Sequence, residues 1–209
     1  MYIPGIFAET DETVITRFVD THPLATLVGI VDGRPMADHL PFVRVDHLIE
    51  GGVMASHVAK ANPTWRLADE SPDVLLIFSG ADAYISPSLY PTKRETHEVV
   101  PTYNYISVHV HGRLTYSHER EDKLRCVSLL TQRMEHGNDE PWSVTDAPER
   151  YIQKMLEGIV AINLEIQSIQ AKIKASQNRV MKDQIGVLNG LRTDVRTIEA
   201  ANVISARIE

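Results

Sequence analysis

From residue 12 to 21 the apolar positions Val14, Ile15, Phe18 and Val19 recur at helical spacing, behind Asp11 as N-cap and ahead of the stop His22-Pro23. This predicts a short amphipathic helix. The pattern then changes period. Residues 24–31 are apolar almost throughout and predict a buried strand, Asp32-Gly33 predicts a tight hairpin turn, and residues 35–45 predict the returning strand. A third strand is expected over 48–57, a loop with one helical turn over 60–71, and a dense β-forming run over 74–79 ended by Gly80. Residues 82–91 carry Tyr84, Ile85 and Tyr90 but also Pro87 and Pro91, so a short strand followed by a loop is expected there. Over 103–116, Tyr105, Ser107, His109 and His111 alternate with Ile106, Val108 and Val110. Period two means a two-faced strand, one face apolar and the other polar and aromatic.

Helical spacing returns at 122–135, with Leu124, Val127, Leu130 and Met134 on one side, and at 148–157, where Pro148 occupies the first turn. Residues 159–169 alternate again and predict a closing strand. The tail, 180–209, places Ile185, Val187, Leu188, Leu191, Val195, Ile198 and Val203 at helical spacing, as one or two helices broken near Gly190. Six or seven short strands with interposed helices predict a mainly β, α+β fold. Its simplest form is an antiparallel barrel with helical additions, in a single domain over 1–209.

Composition narrows the function. Net charge is −7, with 21 Lys and Arg against 28 Asp and Glu, which excludes a broad electrostatic grip on nucleic acid. Cys126 is the only cysteine, so no intrachain disulfide forms and a reducing, cytoplasmic setting is expected. Glu9, Asp11 and Glu12 stand where a signal peptide carries basic residues, and no apolar run is long enough to span a membrane.

Of the nine histidines, His109 and His111 are the tightest pair, two apart on one strand and so on one face. A metal or heme would need a further ligand from elsewhere in the fold. Cys126 lies on the apolar side of a helix and reads as packing; no nucleophile elbow and no glycine-rich phosphate loop occurs. Three stretches carry polar chemistry. His57, Lys60 and Asn62 stand at a strand exit before Pro63, where they present donors to an anion or simply form a solvated turn. Residues 101–112 concentrate rings and amides on one strand, as a flavin requires or as an ordinary core provides. Lys172, Lys174 and Arg179, with Ser176, Gln177 and Asn178, follow the closing strand and read as a phosphate contact, a partner contact or a solvated basic loop.

Together and in this order, these stretches resemble the PaiB-type family of FMN-binding negative transcriptional regulators, variants of the flavin-binding split barrel of pyridoxamine phosphate oxidases. The resemblance is carried by Tyr2, His22-Pro23, His39-Leu40-Pro41, His57 to Pro63 with Trp65, Ala83 to Ser88, Val100 to Gly112, and Ser176 to Arg179. It implies an antiparallel split β-barrel of the FMN-binding type, assembled as a homodimer with FMN in clefts between subunits. The phosphate is expected at His57, Lys60 and Asn62, and the ring at Tyr84, Ser86, Ser88, Tyr103 and Asn104. Ser176, Gln177, Asn178 and Arg179 are expected to close the pocket. Leu89 and Tyr103 stand where the family usually has tryptophan, Ala81 replaces a proline, and Ala171 and Ala175 replace a glycine and a larger apolar residue, so weaker ring stacking is expected. The resemblance implies a regulator acting on DNA or through a protein partner; the same barrel also serves flavin-dependent oxidoreductases, and a heme or metal protein is the third reading. No catalytic residue is assigned.

Overall fold

A computed structural model describes residues 1–208; Glu209, the last residue of the expected tail, lies outside the described residues. The chain forms two compact units, one of residues 1–11, 79–108 and 170–208, the other of residues 12–78 and 109–169. Eight strands pair in the order β3-β2-β6-β7-β8-β5-β4, with β1 added to β8. They are β1 Ala8–Glu9, β2 Leu24–Val31, β3 Arg34–Pro41, β4 Val43–Arg44, β5 Val53–Ala59, β6 Asp73–Ile85, β7 Thr102–Ser117 and β8 Ile159–Lys174.

In the unit of residues 12–78 and 109–169, helix α1 occupies Glu12–Thr21 and the β2–β3 hairpin turns at Asp32 and Gly33, both left-handed at φ 49° and 71°. That is the backbone an Asp-Gly pair favours in a two-residue hairpin. The third strand starts at Val53 and not at 48. Gly51 is left-handed, Gly52 packs against the carbonyl of His47, and the Asp46 carboxylate accepts from the Val53 N–H at 3.1 Å, so residues 46–52 are spent on a turn. A 3-10 turn, Pro63–Arg66, leads directly into α2, Leu67–Glu70. The alternation in β2 buries Ala25 and Leu27, while Leu76, Phe78, Leu114 and Ile162 are sealed in neighbouring strands. Each of the larger side chains, from Leu27 to Ile162, contributes about 1.5–3 kcal/mol.

Helix α4, Arg120–Glu135, lays Cys126 on Ala55 and Ala161. Burial raises the thiol's pKa, so Cys126 is an inert packing residue, as expected. Asp20, at the end of α1, receives Arg44 of β4 at 3.0 Å and Arg133 of α4 at 2.8 Å, which ties three elements through one carboxylate. Pro148 stands at the N-cap of α5, Glu149–Glu157.

In the other unit, β6 continues through Gly80 to Ile85 without ending, and β8 continues beyond 169 to Lys174. Two of the expected short strands are therefore long ones. The extension of β8 is supported by β1, which pairs Ala8 with Lys172 and Glu9 with Ala171. A 3-10 turn, Pro87–Leu89, and the short helix α3, Lys93–Thr96, follow β6. The tail folds as α6, Met181–Leu191, and α7, Ile198–Ile208; Gly190 lies inside α6 and is not the break. Its role is contact: a Cβ at Gly186 or Gly190 would collide with Leu89 or Pro91, so Leu89 sits against a glycine-lined strip of α6.

Gly112 supplies a similar contact in β7. A Cβ there would fall on the Glu165 carbonyl and the Leu164 side chain. Gly112→Ala is expected to destabilise the protein by about 1–3 kcal/mol, seen as a lower denaturation midpoint in urea at unchanged slope.

Candidate functional site

The residues singled out in the sequence fall into two sets, one in each unit, and each set is described by itself. His57, Lys60 and Asn62 stand at the end of β5 and the turn beyond it. The β5–β8 register pairs His57 with Ala161 and Ala55 with Asn163. Because side chains alternate, His57 and Asn163 share the sheet face that carries Ala55 and Ala161. His57 Nδ1 and Asn163 Oδ1 are both buried, and neither has a hydrogen-bond partner among the described residues. Burial holds the pKa of His57 below the ordinary imidazole value, so its ring is neutral at pH 7. Lys60 is exposed, and its backbone carbonyl accepts from the Trp65 indole N–H at 3.3 Å.

Asn62 is already committed. Its Nδ2 donates to Asp38 at 2.5 Å, and its Oδ1 accepts from the Thr64 N–H at 3.0 Å, capping the 3-10 turn. Thr64 Oγ1 lies 2.8 Å from the same Asp38 oxygen. Burial alone would raise the pKa of Asp38; bonds from Asn62, Thr64 and the His39 N–H outweigh it and leave it below the ordinary carboxylate value. Of the three residues, Lys60 is exposed and His57 has a ring nitrogen without a partner among the described residues, while Asn62 shapes the turn that follows them.

Beyond this turn lies an aromatic group that sequence reading passed over. Trp65 meets Tyr116 at 5.1 Å and His118 at 5.2 Å between ring centroids, with Arg66 over the indole at 5.3 Å. The signal for it was weak: Tyr116 and His118, two apart on one stretch, with Trp65 some 50 residues earlier. His109 and His111 lie on β7 as expected; burial chiefly lowers the pKa of His109, and His111 is among the smaller causes. Among the described residues no group of three His, Cys, Asp or Glu is placed to hold a metal.

In the second set, Tyr84 and Tyr103 meet edge to face at 5.7 Å and are 52% and 56% exposed, so two rings stand open to solvent side by side. Ser86 Oγ caps the Ser88 N–H at 3.2 Å and lies 2.8 Å from Ser88 Oγ, which fixes the turn after β6. Asn104 is only 3% exposed. Its Nδ2 donates to Ser176 Oγ at 2.8 Å, whereas its Oδ1 has no partner among the described residues. Ser176 is held left-handed at φ 63° in a turn closed by the Arg179 N–H donating to the Ser176 carbonyl.

Gln177 spends both ends of its amide on that turn, accepting from the Ala175 N–H and donating to the Ile173 carbonyl. Asn178 is exposed. The Arg179 guanidinium lies 4.8 Å over the ring of Tyr90, whose buried hydroxyl is pushed to a higher pKa by desolvation. Leu89, placed against α6, is not available as a stacking surface.

The buried imidazole makes stability pH-dependent. His57 titrates lower in the folded than in the unfolded chain, so the unfolded state binds the extra proton first and stability falls as pH drops through about 6.5. His57→Gln is expected to flatten part of that fall in a urea-midpoint series across pH. Asn62→Ala is expected to cost about 1 kcal/mol at neutral pH through the lost cap, read from the same unfolding curves.

Comparison with known proteins gives these sets a family. The family model described as "Putative FMN-binding domain" matches residues 1–168. The chain is 33% identical over 197 residues to the Protease synthase and sporulation protein PAI 2 of Bacillus subtilis, covering 93% of this chain and 90% of that one. In fold it is similar to the FAD and heme binding protein from Mycobacterium smegmatis, at TM-score 0.60 and 22% identity over 80% of this chain and 73% of that one. A likeness to the flavocytochrome Anf3 from Azotobacter vinelandii has TM-score 0.58 and 19% identity over 80% and 69%. The mainly β, split-barrel class expected from the sequence is the class of this fold. The chain belongs to the PaiB-type FMN-binding family and is a flavin-binding protein of that family, with FMN as its cofactor.

Proposed function

We propose that this chain works as an FMN-dependent negative transcriptional regulator, a cytoplasmic homodimer that acts on DNA or through a regulatory partner. The observation that carries the flavin assignment is Asn104, a buried amide with an unpartnered oxygen, adjacent in sequence to Tyr103, whose exposed ring meets that of Tyr84. A flavin ring asks for this combination, flat faces beside a few fixed polar groups. Asn104 Oδ1 is the acceptor for a ring N–H; Tyr84 and Tyr103 supply aromatic surface; Ser86 and Ser88 shape the neighbouring turn. Ser176 orients Asn104, and Gln177, Asn178 and Arg179 complete that wall.

In the other unit, Lys60 and the unpartnered nitrogen of His57 are the groups assigned to the phosphate, on a turn built by Asn62. Bound FMN supplies reversible redox chemistry. What the protein's own residues do is hold it. Support for the dimer comes from the exposed apolar side chains Tyr2, Ile6 and Val100, which a second copy would cover. Among the described residues no helix is long and apolar enough to cross a membrane. The regulatory role is supported by the relationship to the Bacillus subtilis sporulation protein. With a net charge of −7, direct DNA contact has to be local.

Titrating the purified chain with FMN and following quenching of flavin fluorescence tests the ring assignment. Tyr84→Ala and Tyr103→Ala are each expected to weaken FMN by about 5- to 30-fold, the loss of one stacking partner. Unchanged affinity in both would remove the rings from the site. Salt-sensitive retention of a promoter fragment by the dimer tests regulation, and its absence, with no partner captured in its place, would count against it.

A further inference from the structure

Trp142 is 48% exposed, although an indole is among the side chains that gain most from burial. It stands in a segment folded back on the last two turns of α4. Gly137, left-handed at φ 95°, reverses the chain, and the Trp142 N–H and the Asn138 side-chain amide then donate to Glu135 Oε2 at 3.1 and 2.8 Å. Further on, the Ser143 N–H donates to the Asp146 carboxylate at 2.7 Å, which stiffens the segment. Between helix and segment lies a cleft of about 480 Å³, within the size range of small-molecule sites. Ser128, Thr131 and Glu135 line its helix side, on one face of α4, and Trp142 and Thr145 line the other. None of these residues is among those assigned to the flavin.

The cleft is built for positive charge. Among the described residues that line it there is no lysine or arginine, and His136 is the one basic side chain. The bonds from Asn138 and the Trp142 N–H hold the Glu135 carboxyl below the ordinary carboxylate range, so it is ionised at neutral pH. Both bonds fall on Oε2, and Oε1 has no hydrogen-bond or ion-pair partner among the described residues. The arginines of α4 are engaged with other carboxylates: Arg120 with Glu149, Arg125 with Asp122 and Arg133 with Asp20. The carbonyl end of this 16-residue helix adds partial negative charge at the same place. An exposed indole face is a further attraction for a cation.

We infer that this cleft binds a small organic cation, an ammonium or guanidinium compound. Glu135 Oε1 accepts from its N–H groups, Trp142 offers its ring to the charge, and the hydroxyls of Ser128 and Thr131 accept the remaining donors. A neutral polyol would use the ring and the hydroxyls but would leave the carboxylate unanswered.

Butylguanidinium chloride is titrated into the purified full chain at constant ionic strength, beside butylurea, which has nearly the same shape without the charge. Binding is followed by NMR at the backbone amides of residues 137 and 142, for the wild type, Glu135→Gln and Trp142→Leu. The wild type is expected to bind butylguanidinium about three- to thirtyfold more tightly than butylurea. Glu135→Gln keeps an acceptor for Asn138 and Trp142 and is expected to lower that preference about two- to fivefold; Trp142→Leu is expected to do the same. Should Trp142→Leu not fold, Glu135→Gln alone carries the comparison. No shift at those amides, affinity for butylurea equal to or above that for butylguanidinium, or an unchanged preference in the folded variants overturns the inference.

Discussion

The register of β5 against β8 decides where the chemistry of one unit stands. Seven consecutive pairs, from Val53 with Glu165 to Ala59 with Ile159, fix which residues face each way. A slip of one residue would exchange the two faces. A slip of β5 would take Ala55 from beneath Cys126 and send His57 to the opposite side. Small residues at 55 and 161 let α4 approach closely, and the cost is two buried polar atoms without partners on the same face. A stable fold tolerates few such atoms, and their presence marks a place where a ligand or ordered water completes the structure.

The other unit shows the same economy with different groups. Gly186 and Gly190 bring α6 against Leu89, Asp183 is tied to Thr92, and the Ser176 turn clamps the Nδ2 of Asn104. These contacts fix the backbone around Tyr84, Tyr103 and Asn104 and leave Asn104 Oδ1 without a partner among the described residues. Rigid surroundings with unsatisfied polar atoms are what a preorganised binding surface requires.

Much of this was legible in the sequence where the signal was local. The β2–β3 hairpin followed from Asp32-Gly33, α1 from its apolar spacing, and the packing role of Cys126 from its helical face. The errors were non-local. Gly80 reads as a strand end, yet β6 passes through it, because pairing with neighbours outweighs the intrinsic weakness of glycine in a strand. Gln170, Lys172 and Lys174 read as loop, yet β1, some 160 residues earlier, pairs across 171 and 172. Of the residues put forward for the cofactor, the structure shows Asn62 and Gln177 committed to their own turns and leaves Asn104 with a free oxygen. Which end of an amide is already spent cannot be read from residue type.

The central claim is that this chain binds flavin, and the visible absorption spectrum of the purified full-length protein, before and after reconstitution with FMN and removal of excess cofactor, tests it most directly. Oxidised-flavin bands that stay with the protein in a defined ratio are the predicted result. A protein that stays colourless after reconstitution, or carries a Soret band instead, would contradict the account.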